Sequence, residues 1–477
     1  MSRETKLVKN TFILSIGTFL PKLASFITLP VLTACLTKDQ YGTYDLITIL
    51  VSLILPVTTL QIHTAAFRFL IEHKHDRNLA KVYLSNIMAF VLPVALVSLT
   101  ILYYFLPIED VQIKIWICIY LFFDTIVAEV RQITRGLSRN LDYSISAIIS
   151  ALVKMVLAFV LVQLLKYELL GAIIALALSP VLSLLYLIFK VKVYELIDFS
   201  LVRKDILQEM LSYSWPMVPN NMSGWVMRAS DRFVVTLFMG LPANAIYAVA
   251  NKIPHLLTLA QSTFNMAWQE NASIASKDED VGTYYSKMFL TMTNFYAGCL
   301  GLIIACTPIL FRLLIKGDYS EAYPQMPVLF LATFFSCMAS FQGGIYIACK
   351  ATKSVGITTV AAAICNLVVD LALIKHIGLY AASGSTLVSF VFLFIYRMFD
   401  VRKLVNIKYN IPRFLLAMAV ILVECVLCYI NTVQINILNV CFGVVAFSFL
   451  NKQVIVSLLN KTRRMLKSVN KGRAHND

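Results

Sequence analysis

Charge is what this chain has least of. Asp, Glu, Lys and Arg make up 14% of its 477 residues, and 59% are hydrophobic. A soluble domain carries about 25% charged and about 45–50% apolar residues, so a fold closed around one water-soluble core is excluded. Acids are the scarcer sign, 26 against 41 bases. The six histidines are scattered, and no nucleophile–base pair, metal-ligand cluster or phosphate-binding glycine loop is evident. Neither a metal nor a cofactor is expected, and the chain does not read as an enzyme. The ten cysteines fall almost entirely in apolar runs. Cys425 and Cys428 form a C-x-x-C, but inside such a run and away from any histidine, which reads as small residues packing in a helix. Leu32, Thr33, Ala34 and Cys35 look like a lipoprotein cleavage box, yet Pro21 and Lys22 interrupt a preceding run that is too long for a signal peptide. The first apolar stretch is therefore expected to direct insertion itself.

What fills the chain is long apolar runs. Fourteen can be read, at about 11–36, 44–67, 82–106, 112–134, 143–165, 169–190, 211–238, 242–267, 284–312, 324–348, 355–375, 379–399, 411–430 and 435–457. A helix needs about 20 apolar residues to cross the hydrocarbon layer. The expected fold class is an all-α membrane protein of about 14 transmembrane helices.

The net charge of +15 points to the membrane. With the N-terminus placed in the cytoplasm, outer loops and span ends hold six of the 41 bases: Lys38, Lys114, Lys166, Arg312, Lys316 and Lys375. Five lie inside spans, and 30 fall in cytoplasmic segments or at their span ends. That is the positive-inside bias of short loops. It predicts a multi-pass protein of the cytoplasmic membrane with both termini inside. Clusters such as Arg463, Arg464 and Lys467 would face anionic membrane lipids. No segment is long enough to fold into a basic surface for nucleic acid, which is not an expected partner.

The expected organisation is a six-span N-lobe over 1–190, a linker over 191–210, a six-span C-lobe over 211–399, two further spans over 400–460 and a basic tail over 461–477. In the linker, Leu201, Val202, Ile206 and Met210 fall near one helical face and Arg203, Lys204, Asp205 and Glu209 on the other, the pattern of an interfacial helix. Tether and moving lever fit it equally. The lobes echo one another: Asp39 to Tyr44 opens the second span, Pro242 to Tyr247 the eighth, and paired prolines mark the first (Pro21, Pro30) and seventh (Pro216, Pro219). Repeated halves with broken helices are a transporter signature. Pro56, Pro93, Pro180, Pro254, Pro308 and Pro327 interrupt other spans, and the carbonyls they free need partners from neighbouring helices or water.

A charge at mid-bilayer costs about 2.5–3.5 kcal/mol on insertion scales, so the five interior bases need water, a partner or a ligand. Lys154 and Asp124 lie at similar depth on the hairpin of spans four and five and read as a structural ion pair. Arg228 and Arg232 are four apart on one face of the seventh span, with Asp231 close enough to neutralise one of them. With Lys22 in the first span and Lys252 in the eighth, they are candidates to line one cationic cavity. Arg forks and a Lys point charge suit a lipid diphosphate. The alternative is that the arginines pair locally or reach outward. Asp231 and Asp370 are candidates for ion coupling, and Glu424, in a peripheral span, reads as structural.

The residues also carry a resemblance. Asn10, Gly17, Leu29, Pro30 and the Tyr41–Gly42 pair at the start, and the order Trp215–Pro216, Asp231–Arg232, Gly240, Tyr247 at the seventh span, resemble the polysaccharide transporter branch of the multidrug/oligosaccharidyl-lipid/polysaccharide flippase superfamily, which includes O-antigen flippases. The resemblance implies two six-helix lobes around a cavity and alternating access. It implies a polyprenyl-diphosphate-linked glycan as substrate, with Lys22, Arg228, Arg232 and Lys252 lining the site. It also brings polysaccharide polymerase or glycosyltransferase machinery as candidate partners. A multidrug exporter is the alternative, although its cationic cargo favours an acid-rich cavity. A glycan polymerase or ligase would need a sizeable catalytic outer loop, and the outer loops here are short.

Overall fold

The computed structural model describes residues 3–72, 76–106, 108–453 and 455–456. The 461–477 tail, with Arg463, Arg464 and Lys467, lies outside the described residues. Among those described the chain is all-helical. Twelve helices are long and apolar enough to cross a membrane. Many of their large apolar side chains point outward, Ile27, Val97 and Phe189 among them. Such a surface is stable against lipid.

The first compact unit comprises residues 1–249, 313–320 and 363–382. It holds α1 (Arg3–Cys35), α2 (Lys38–Thr58), α3 (Ile62–Glu72), α4 (Arg77–Phe105), α5 (Val111–Gly136), α6 (Asn140–Ala158), α7 (Glu168–Val191), α8 (Lys204–Ser214) and α9 (Met217–Met239). α2 starts earlier than its apolar run because Thr37 and Gln40 close a reciprocal capping box. It ends where Thr58 and Thr59 turn their hydroxyls back onto the carbonyls of Ile54 and Leu55 beside Pro56. Leu60 and Gln61 then take positive φ of 46° and 57°, and the helix resumes as α3. The second apolar stretch is thus broken rather than kinked.

Residues 313–320 join this unit through a clip at the span ends. The backbone N–H of Lys316 donates to Thr33 Oγ1 at 3.0 Å, and Lys38 pairs with Asp318 at 3.0 Å.

The linker is docked, not slack. Asn86 of α4 accepts from the Arg203 N–H at 2.8 Å and donates to the Leu201 carbonyl at 3.3 Å. The Asp198 N–H donates to Ser85 at 2.8 Å, and Lys81 reaches the Asp198 carboxylate at 2.9 Å. Met210 of α8 is fully buried among Ile62, Leu84 and Leu187. The helix begins at Lys204, so Leu201 belongs to a 3₁₀ turn instead. Hydrogen bonds from Ser200 and Lys81 hold the Asp198 carboxyl down to about 2. A group depressed in this way stabilises its contact fully above its unfolded value of about 4, and the contribution is lost as pH falls through its folded value. Proteolysis across 191–203 is therefore expected to stay constant from about pH 7 to 5 and to accelerate as pH falls towards 2, while Asp198→Asn accelerates it at neutral pH. Equal rates in all cases would show the linker undocked.

The second unit comprises 250–312, 321–362 and 383–477. The eighth apolar stretch is split into α10 (Leu241–Ala250) and α11 (Leu256–Ala275) by the turn carrying Lys252 and Pro254. α12 (Val281–Leu314), α13 (Met326–Ala348), α14 (Thr352–Ile377), α15 (Leu379–Arg402), α16 (Ile411–Ile430) and α17 (Val433–Leu450) follow; α10 up to Val249, α14 from Ala363 and α15 up to Ala382 belong to the first unit. Trp268 stacks on Phe341 at 4.4 Å and approaches Gly344 so closely that a side chain there would strike its indole. Cys425 and Cys428 are free thiols, and Cys428 packs against Tyr323. Glu424 is fully buried with neither oxygen hydrogen-bonded, in space left by Gly301 and Gly443.

Candidate functional site

α9 is the least apolar of the long helices because it carries Arg228, Asp231 and Arg232 within two turns. These side chains divide between two faces of the helix. Arg228 and Arg232 turn towards α2. Between α2, the break at 59–61, the start of α3 and α9 lies a cavity of about 480 Å³, lined among others by Ser52, Gln61, His63, Trp225, Arg228 and Arg232. The Trp225 indole N–H donates to Ser52 Oγ at 3.1 Å and closes one wall. Arg228 folds back along its own helix, with a guanidinium nitrogen 3.1 Å from where a side chain on Gly224 would begin.

The cavity's charges are largely balanced. Arg232 Nη1 donates to both oxygens of Asp45 in α2, at 2.8 and 2.7 Å, and the pair is nearly buried. The Arg232 Nε keeps no partner. His63 Nδ1 lies 3.2 Å from Oε1 of the fully buried Glu129. Arg228 is exposed to the cavity, and among the described residues no carboxylate pairs with it. The positive excess is therefore concentrated on Arg228.

On the other face, Ser230 donates to Asn366 Oδ1 at 3.1 Å. Tyr247 donates its hydroxyl to Asp231 at 2.9 Å and reaches the Ala382 carbonyl at 3.3 Å. Asp370 of α14 is fully buried, neither oxygen has a hydrogen-bond partner, and it lies in the field of Asp231. Asp231 and Asp370 are thus brought together.

The other expected bases are placed elsewhere. Lys22 is on α1, exposed, and does not line this cavity. Lys252 belongs to the second unit, in the turn between α10 and α11. No hydrogen bond or ion pair joins Asp124 and Lys154 among the described residues, so the expected direct pair is not formed. Arg131 is held by Ser146 and Ser183. Arg397, 5% exposed, is held by the Ala339 carbonyl and the hydroxyls of Thr358 and Thr359.

The two echoed junctions also meet. Asn244 Nδ2 donates to the Gly42 carbonyl at 3.0 Å, and a Cβ on Gly42 would lie 2.2 Å from the Leu241 carbonyl oxygen. The Tyr41–Gly42 pair is the first turn of α2, seated on the α9–α10 corner.

The family model described as "Polysaccharide biosynthesis protein" matches residues 7–270, more than half of the chain. The chain belongs to that family. The match takes in α2, α3 and α9, and so every residue lining the cavity. No curated protein matches the sequence. Among solved structures, the lipid II flippase MurJ in an inward closed conformation matches with a TM-score of 0.71 at 14% identity, over 94% of this chain and 100% of that one. An inward-facing multidrug resistance transporter of the MATE family and MOP superfamily matches with a TM-score of 0.66 at 12% identity, over 82% and 98%. A MOP superfamily transporter from Pyrococcus furiosus, with a binding pocket described as of reverse polarity, matches with a TM-score of 0.59 at 14% identity, over 83% and 95%. At these identities the likeness establishes the fold. This member of the polysaccharide biosynthesis family is a multi-pass membrane protein with the fold of flippases and transporters.

Proposed function

We propose that this protein moves a lipid-diphosphate-linked oligosaccharide, a polysaccharide repeat unit such as an O-antigen unit, across the bacterial cytoplasmic membrane by alternating access, with both termini in the cytoplasm. The observation that carries the reading is Arg228, a guanidinium lining a cavity between helices with no carboxylate paired to it among the described residues. An unpaired cation in such a place is stabilised by a bound anion, and a diphosphate offers the oxygens a guanidinium fork engages best. Membership of a polysaccharide biosynthesis family and a flippase-type fold support the same cargo. A cavity whose excess charge is positive suits a multidrug exporter of cations poorly. Asp231 of α9 and Asp370 of α14, a pair of buried carboxylates, are the proposed carriers of a coupling proton or cation. The cycle makes and breaks no covalent bond, and polymerase or glycosyltransferase machinery would supply and consume the cargo.

Cells lacking the protein and any redundant exporter are expected to accumulate lipid-linked repeat units on the cytoplasmic face. Arg228→Gln should lower export about ten- to hundred-fold, the value of a charge-assisted hydrogen bond, with the protein still in the membrane. Normal surface glycan in the deletion strain would remove the function, and full export by Arg228→Gln would remove the residue.

A further inference from the structure

A second basic cavity lies within the other unit, among α12, α16 and α17. It has a volume of about 320 Å³, and Lys287, Arg413 and Lys452 line it together with Asn410 and Phe449. All three bases are exposed, and among the described residues no carboxylate lines the cavity and none of the three has an ion pair. α16 opens at this point, where Asn410 caps the Arg413 N–H at 3.1 Å, so its positive dipole end adds to the same field.

The depth of the cavity identifies its occupant. α16 and α17 have 20 and 18 residues, lengths of about 30 and 27 Å that match a hydrocarbon layer of about 30 Å. Arg413 is the third residue of α16, and Lys452 follows the end of α17 by two. Both stand where hydrocarbon gives way to headgroups. Immediately inside that level the helices present bare apolar surface: Leu415, Leu416, Val445 and Phe449 are all exposed, Phe449 by 64%. Three cations at headgroup level above an apolar wall are complementary to one kind of molecule, an anion that carries its own acyl chains.

We propose that this cavity holds the headgroup of an anionic phospholipid, with its phosphate among Lys287, Arg413 and Lys452 and its chains along α16 and α17. The proposal is independent of the transported cargo. Basic residues between transmembrane helices at the membrane boundary bind anionic headgroups in this way.

The test uses the full-length protein in detergent, with native mass spectrometry during titration by phosphatidylglycerol, phosphatidylethanolamine or inorganic phosphate. One phosphatidylglycerol should be retained with at least about ten-fold preference over phosphatidylethanolamine, and millimolar phosphate should not displace it. Each of Lys287→Gln, Arg413→Gln and Lys452→Gln should weaken retention about five-fold, and the triple variant about hundred-fold. Lys287→Arg with Lys452→Arg should retain the lipid, and so should Arg228→Gln, whose cavity is separate. Should the triple variant not stay monodisperse, the three single variants carry the test. Undiminished retention by the charge-removing variants, or equal retention of both lipids, overturns the proposal. Displacement by inorganic phosphate would reassign the cavity to a soluble anion.

Discussion

Asp45→Ala is expected to destabilise the protein by about 3–5 kcal/mol, the cost of leaving one member of a buried ion pair without the other. Arg232 lines the cavity, so some water reaches it and the lower end of that range applies. Against total stabilities of about 5–15 kcal/mol the loss remains large, and the variant should show a depressed Tm and a poor yield in detergent. The pair's geometry supports the size of the effect: one nitrogen on both carboxylate oxygens at 2.8 and 2.7 Å, between helices distant in sequence. The compensating variant separates lost charge from lost packing. Asp45→Ala with Arg232→Met removes both charges, fills much of the volume and should recover most of the Tm, because an apolar replacement of a buried pair is often neutral. Arg232→Gln alone should behave like Asp45→Ala, which makes Arg228→Gln the cleaner probe of transport. Wild-type stability in Asp45→Ala would mean that the Arg232 charge belongs to the cavity and not to the fold.

Gly42→Ala should be among the most costly single-methyl additions in the first unit. The added Cβ would sit 2.2 Å from the Leu241 carbonyl oxygen and 2.9 Å from its carbon. Both are backbone atoms that cannot swing aside, so α2 must separate from the α9–α10 corner. Overpacking costs about 1–3 kcal/mol, and the upper end is expected because Asp45, three residues on, would be drawn away from Arg232 by the same displacement. Gly42→Val should be worse. The internal control is Gly356, where nothing lies within 4 Å of the new Cβ. There alanine should be neutral or stabilise by about 0.5–1 kcal/mol, as in any open helix interior. Tm values that do not distinguish the two alanine variants would refute the close approach.

The spans were legible because crossing hydrocarbon imposes length and apolarity together, and little else satisfies both. The eighth stretch departed for a reason also written in the residues: a turn at Lys252–Pro254 where a continuous run was expected. The candidate site was only half legible. Arg228 and Arg232 stood out by their surroundings, and so did Asp231 and Asp370. Asp45 did not, because the apolar run starts at Tyr44 and its neighbours read as a turn. The Thr37–Gln40 capping box, a local signal, sets the true start of α2 and carries Asp45 inward. Glu129, Arg131 and Arg397 sit near span ends, where charge is ordinary, and burial there is decided by neighbours from distant segments. His63 was one of six scattered histidines until the break after α2 brought it to the cavity. Lys22 shows the reverse: interior position along α1 does not by itself bring a side chain to the cavity on α9.

The two faces of α9 have a thermodynamic consequence. Arg228 and Asp231 are three residues apart on one continuous helix, Met217–Met239, so any shift of that helix carries both clusters with it. Linkage between two such sites is reciprocal. Whatever factor a bound anion applies to occupancy at Asp231 and Asp370, that occupancy applies to the anion's affinity. Under the proposed function, α9 would be the element through which the two occupancies are linked.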